Sequence, residues 1–304
     1  MTNGDALVPA IERAAPGGRV LPWRDVLHEG PVPGGLSEAA LRAERALFLA
    51  RAGWGDGVSL LDGFERRDQA LIASRGDLML WFDDDLFDQL QLVQVLAMLD
   101  ARIDPDTTYR LVRVPRTGLN GHHDEIRIGA PGRRLARRAW AAFRSSDPRL
   151  LPAIEGPELP DLGPALRRLA EELPWTTDGL ARTERQVLGA IGGGADTPLE
   201  VFRASQGLED RPFMGDHWLW VAIQRLAECA VPLVVAPVAP TPDLTAEFVQ
   251  QRYALTPAGE RVLAGEGDHA ALNGVERWLG GVRLSGNEPA WRWDPGAREV
   301  VGAS

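Results

Sequence analysis

Within the thirteen residues Leu21–Pro33 the chain carries Arg24, Asp25, His28 and Glu29. Three prolines and a glycine keep this stretch from forming a regular helix or a central strand. Ionisable groups on a stiff, irregular segment suit a site better than a core. His28 or Glu29 is placed to act as general base beside Asp25, with Arg24 as the cation for an anionic group and Trp23 next to it. A second concentration, Asp83-Asp84-Asp85-Leu86-Phe87-Asp88-Gln89, follows directly on the apolar run Asp77–Phe82. Adjacent carboxylates raise one another's pKa unless a cation or ligand lies between them. Helix capping and dipole effects account for one or two of the four aspartates, not for the cluster. Asp88 is therefore expected in the catalytic set, with Asp85 and Gln89 binding ligand. Asp83 and Asp85 are the expected metal ligands in a version of the site that uses Mg²⁺. The third element is Asn3-Gly4-Asp5, which opens into a helix. Helix N–H groups face a ligand in such strand-to-helix turns, and an ordinary N-cap role for Asp5 explains the same residues.

These groups need elements to hold them. Gly18–Leu21 fits a short strand ending at Pro22, so the Pro22–Pro33 stretch becomes the loop at a strand's carboxyl end, where open α/β sheets bind ligands. Asp77–Phe82 suits a buried parallel strand, and Leu90 to Leu99 a helix buried over much of its surface. Ser37–Arg51 is an amphipathic helix capped by Ser37; its Arg42 and Arg45 are expected to be solvated or paired with neighbouring glutamates. A further helix is expected around Phe64 to Ala73. Tyr109–Val114 reads as a strand. The loop after it carries His122, His123, Asp124 and Glu125, a solvent-facing loop or a metal site. Arg133–Phe143 reads as an amphipathic helix. The fold class is α/β: a Rossmann-like parallel sheet over residues 1–150, a proline-rich linker with a short helix over 151–178, and a smaller, mainly helical domain over 179–304. The glycines do not form G-x-G-x-x-G, so dinucleotide binding has little support. The strand expected before Asn3 is missing or cut to two residues, so either the domain lacks it or the natural start lies several codons upstream of Met1.

In the second half, helices around Thr183–Ile191, Thr197–Ala204 and Gly215–Leu226 precede a strand at Leu233–Val235 and the segment Tyr253–Leu263. Three helices and a hairpin read as a winged helix. The third helix carries Asp216, His217, Trp218, Trp220 and Glu228, with Arg225 its one arginine. Residues 181–304 hold 16 acidic residues against 11 arginines, a net of −5. A DNA reader needs phosphate contacts, so an interaction domain, also a candidate homodimer surface, is the expected role. Asn273–Leu284 and Trp291–Asp294 are expected to form a closing hairpin.

All 33 basic residues are arginine. Without lysine the chain has no P-loop, Schiff-base or protein-kinase chemistry. The net charge of −10 disfavours nucleic acid and anionic membranes as partners. One cysteine, Cys229, excludes an internal disulfide or a multi-cysteine metal site. No apolar run is long enough for a membrane span, and the first residues lack a signal peptide's basic and apolar regions, so a cytoplasmic location is expected.

Asn3-Gly4-Asp5, the Pro22–Pro33 stretch and Leu80–Leu90 together resemble a bacterial family of unknown function whose N-terminal domain reads "NGD … PWRDVLHEGP … LWFEHDLYDQL". The resemblance covers about residues 1–150, and the C-terminal half resembles tails on actinobacterial members. This chain has Asp83-Asp84 where the family often has Glu-His. The resemblance implies a Rossmann-like fold and brings no established reaction. On the residues, the expected function is an enzyme that hydrolyses, or transfers a group on, a nucleotide or other small anionic phosphorylated metabolite. The alternative is a ligand-sensing regulator or interaction module that uses the winged helix.

Overall fold

A computed structural model describes residues 1–100, 107–113, 124–241 and 243–302. The architecture is mixed α/β. The residues divide into two compact units: Met1–Arg167 with Gly280–Val282, and Arg168–Leu279 with Arg283–Ser304. The division falls inside the stretch expected as a linker. That stretch is packed, with Leu151, Leu159, Leu162 and Leu166 buried.

The first unit is built on a five-stranded sheet. In chain order its elements are β1 (Thr2–Asn3), α1 (Val8–Ala14), β2 (Pro22–Trp23), β3 (Gly30–Pro31), α2 (Glu38–Arg51), α3 (Gly57–Ala73), β4 (Asp77–Phe82), α4 (Leu86–Asp100), β5 (Thr108–Arg113), β6 (Glu125–Arg127) and α5 (Ala130–Phe143). The spatial order is β2-β1-β4-β5-β6. β1 pairs in parallel with β2 and with β4, and β4 in parallel with β5, while β6 runs antiparallel at the far edge. A 3₁₀ helix (Pro148–Ala153) and α6 (Leu162–Ala170) follow.

The strand expected over Gly18–Leu21 forms instead directly after it, at Pro22–Trp23. Pro22 is tolerated because β2 is the sheet's edge strand and its missing N–H breaks no inner ladder. α3 begins seven residues before the expected Phe64, because Asp56 caps it by accepting the Ser59 N–H at 2.9 Å. α4 is buried on nearly every side, packing against β4 and α5.

The second unit carries α7 (Arg182–Gly192), α8 (Pro198–Gln206), α9 (Asp216–Glu228), β7 (Val234–Val235), α10 (Ala246–Gln250), β8 (Ala254–Leu255), α11 (Pro257–Leu263), α12 (His269–Asn273), β9 (Val275–Gly280), β10 (Val282–Gly286), β11 (Trp291–Asp294) and β12 (Glu299–Gly302). α7, α8 and α9 pack on one another. β7 pairs antiparallel with β8, and β11 with β12. No described helix is long and apolar enough to cross a membrane.

Candidate functional site at the carboxyl edge of the sheet

Because β2, β1 and β4 are adjacent and parallel, the residues that follow them leave the sheet side by side. These are Arg24-Asp25, Gly4-Asp5 and Asp83-Asp84-Asp85. The chain's path also reverses at β1, with β2 on one flank and β4 on the other. Such switch points are where open sheets leave a crevice for a ligand.

Asp88, in the first turn of α4, is the hub. One carboxylate oxygen accepts the Asp83 N–H at 2.5 Å, and the other accepts from the Asn3 amide. Asp85 is the N-cap of α4: its Oδ1 accepts the Asp88 N–H at 2.9 Å and its carbonyl accepts the Gln89 N–H. Asp83 Oδ1 accepts the Asp84 N–H at 2.8 Å, and the Gln89 amide donates to the Asp83 carbonyl at 2.7 Å. Burial disfavours the charged form of Asp85 and pushes its pKa from the ordinary 3.8 to about 7, with the charges of Asp83 and Asp84 adding to the rise. Asp88 is also raised, by burial first and then by the charge of Asp85. The hydrogen bonds that Asp88 accepts oppose that rise without cancelling it.

On the neighbouring strands, Arg24 donates to both oxygens of Asp5 at 2.6 and 2.7 Å. This is a surface pair, with side chains 66 % and 62 % exposed. The bond to Arg24 holds the Asp5 carboxyl below its usual value. His28 and Glu29 are buried, and the His28 ring packs 5.2 Å from the Phe87 ring, which belongs to the first turn of α4. The loop after β2 and the aspartate turn after β4 are therefore in contact.

Several expected roles change. Asp25, expected to be catalytic, is committed to Arg45. Arg45 Nη2 lies 2.7 Å from Asp25 Oδ1, Nε reaches both oxygens, and the side chains are 1 % and 2 % exposed. Arg45 also donates to the Val26 and Glu29 carbonyls at 2.8 and 2.7 Å, and Gln91 donates to the Asp25 carbonyl at 2.7 Å. One buried guanidinium thus ties down the loop that sequence alone singles out. Trp23, expected to meet ligand, is fully buried. Its indole N–H donates to Gln94 at 2.8 Å, and the Arg67 guanidinium stacks 3.7 Å above its ring. Gln89, also expected at the ligand, is a buried strut under the aspartate turn.

For Mg²⁺ on Asp83 and Asp85 the donor set does not fit. One oxygen of each is taken by a main-chain N–H, and among the described residues no three His, Cys, Asp or Glu side chains gather around a point. His122 and His123 lie outside the described residues. Glu125 pairs with Arg110 at 3.4 Å.

Arg45, Gln91 and Gln94 are the residues that sequence reasoning missed. The signal for Arg45 was its spacing. It falls four residues after Leu41 and four before Leu49, on the buried stripe of α2. Gly30, in the same loop, has φ of +77°, and a Cβ there would lie 2.6 Å from the Phe48 ring. Gly30→Ala is expected to cost about 2–4 kcal/mol from the left-handed backbone and the overpacking together. Chemical denaturation would read the loss directly.

Comparison with protein-family models, characterised proteins and solved structures finds no match to this chain.

Proposed function

We propose that the chain is an enzyme that hydrolyses, or transfers a group on, a nucleotide or other phosphorylated small metabolite at the carboxyl edge of a Rossmann-like N-terminal sheet. The observation that carries this reading is Asp85, a partly accessible carboxyl whose pKa is raised to about 7 at the switch point of the sheet. Near neutrality such a group is divided between its two forms. As the carboxylate it takes a proton from an attacking water or acceptor hydroxyl, and as the acid it returns one to the leaving oxygen. Protonation of Asp85 and Asp88 also lessens the repulsion that four aspartates would exert on a phosphate. Arg24 supplies the cation. Its exposed pair with Asp5 is worth little, so an incoming phosphate can replace the carboxylate and take the guanidinium fork bidentately. Asn3 and Asp25 act as positioning residues, one fixing Asp88 and the other holding the loop.

We read α7, α8 and α9 with the β7–β8 pair as winged-helix-like and as an interaction module. The first turn of α9 is spent on packing on nearly every side, with His217, Trp218, Leu219 and Trp220 all buried, which leaves few side chains there to read DNA.

A thermal-shift screen of nucleotides and sugar phosphates tests the enzyme reading. A ligand present at 100 times its Kd adds about 2.7 kcal/mol of stability. Arg24→Gln is expected to weaken that ligand at least about tenfold, in line with the loss of a charge-assisted bidentate contact. If no phosphorylated compound stabilises the protein, or if Arg24→Gln binds one as tightly, the reading is wrong.

A further inference from the structure

At the opposite end of β4 from the aspartate turn, the first unit holds a cavity of about 350 Å³. Two stretches of main chain flank it, Gly18–Leu21 on one side and the start of β4, Asp77–Met79, on the other, with Met1 at its head. Helix residues complete the lining, Ile11 from α1 and Ala70 and Leu71 from α3. The connections from β1 to β2 and from β2 to β4 cross the sheet in opposite directions, so right-handed crossovers put α1 and α3 on opposite faces. A space between two strand-like walls, covered above and below by helices, is the place of a central strand.

The register agrees. β1 pairs Thr2 and Asn3 with Pro22 and Trp23 on one flank, and Thr2 with Trp81 on the other. Continued backwards, the three positions ahead of Met1 lie opposite Met79, Leu78 and Asp77 on β4, and opposite Val20, Arg19 and Gly18 on the other wall. All six residues line the cavity.

Trp81 donates its N–H to the Met1 carbonyl at 2.8 Å, and the Met79 carbonyl accepts from the Met1 nitrogen at 2.6 Å. The odd-numbered residues of β4 therefore turn their main chain to this side. On the other wall the Leu21 carbonyl accepts the Thr2 N–H at 3.3 Å. The next groups in the two ladders are the Met79 N–H and Asp77 carbonyl, and the Leu21 N–H and Arg19 carbonyl. Among the described residues none of these four has a hydrogen-bond partner, although main-chain groups inside a fold are nearly always paired. An apolar small molecule would leave all four unmet. One extended segment meets all four in order. The Met1 nitrogen already stands where such a segment's N–H belongs. As a terminal ammonium it is disfavoured by burial, which lowers its pKa from 8.0 to about 6. A peptide N–H makes the same bond to Met79 without that cost.

We propose that this slot seats a strand of at least three residues from the polypeptide ahead of Met1, which continues β1 in parallel between Gly18–Leu21 and β4. Because both faces are covered, the segment is apolar throughout rather than alternating. It lengthens a two-residue strand and so steadies Asn3, whose amide fixes Asp88. The assignment does not depend on what the carboxyl-edge site binds, and either reading can fail alone.

Intact-mass and terminal-peptide analysis of the protein from its native cells is expected to find an apolar N-terminus at least three residues ahead of Met1. In parallel, the 304-residue chain is prepared with Met-Val-Ile-Val, Met-Gly-Ser-Gly or Met-Val-Pro-Val fused ahead of Met1. The Val-Ile-Val form is expected to melt at least about 4 °C above the Gly-Ser-Gly form. Its Met79 and Leu21 amide protons should exchange at least about tenfold more slowly. The proline form keeps the apolar character but loses the N–H that meets the Asp77 carbonyl, and is expected to recover less than half of the gain. A native N-terminus at Met1 or Thr2 overturns the assignment, even if acetyl-Val-Ile-Val amide protects the same two amides in trans. Equal melting and exchange in the Val-Ile-Val and Gly-Ser-Gly forms overturns it as well.

Discussion

Asp85→Asn should make the protein more stable at pH 8 while removing its activity. In the folded chain the Asp85 carboxyl titrates near 7, against an ordinary 3.8. The folded state therefore holds this proton more tightly than the unfolded state does. Below 3.8 both states are protonated and the residue is neutral in its effect. Between 3.8 and about 7 the unfolded chain gives up the proton first, so the destabilisation grows with pH, and above 7 it is constant. A full difference of that size corresponds to roughly 4 kcal/mol, and the partial exposure of Asp85 reduces it to about 2 kcal/mol. Asparagine keeps the oxygen that accepts the Asp88 N–H, so the helix cap survives while the charge is lost. It also removes the charge that most opposes ionisation of Asp88. Urea unfolding at pH 4, 6 and 8 should show a gain near zero, then rising, then level. A uniform loss at all three pH values would mean that Asp85 is a cap and nothing more. Retention of turnover by the variant would remove it from the chemistry.

That opposition between stability and use is what separates the aspartates. Four adjacent acidic residues at a helix start look alike in sequence. In the structure burial raises the pKa of Asp85 and of Asp88, while Asp83 bonds its neighbours through its N–H, its carbonyl and its carboxylate. Desolvation raises these two, and the sequence carries no sign of which strand end will be covered.

The rest of the fold shows the same division between local and long-range information. The five-residue apolar run Leu78–Phe82 announces β4, and Ser37 announces α2, because both signals are local. β1 and β2 are two residues each and owe their existence to strand pairing, β1 with β4 and β2 with β1, so no periodicity marks them. The mixed site was legible as residue types: Asn3, Arg24 and the aspartates lie on adjacent strand ends, as expected of residues that follow parallel strands. Which of the loop's ionisable groups face a ligand was not legible, since it depends on Arg45, twenty residues away from Asp25. An arginine on an apolar stripe calls for a buried acid, and sequence alone does not say which acid answers.

Arg45→Ala is expected to be the most destabilising single change in the first unit, at about 3–5 kcal/mol, because it leaves the Asp25 carboxylate buried without its cation. It also strips the Val26 and Glu29 carbonyls of their donor. Arg45→Lys keeps the charge, but one ammonium cannot bridge Asp25, Val26 and Glu29 from a single stem, and a loss of about 1–3 kcal/mol follows from the unsatisfied acceptors. The double variant Asp25→Asn with Arg45→Met removes both charges and should recover part of the loss, since the uncompensated ion was its main source. Urea midpoints of the three proteins measure this order. They also distinguish the two roles open to Asp25. If Asp25 only holds the loop, Arg45→Lys should weaken binding of the phosphorylated ligand and leave the pH profile of turnover unchanged. If Asp25 exchanged the proton itself, altering the guanidinium bonded to it would move one limb of that profile, and the assignment to Asp85 would fall.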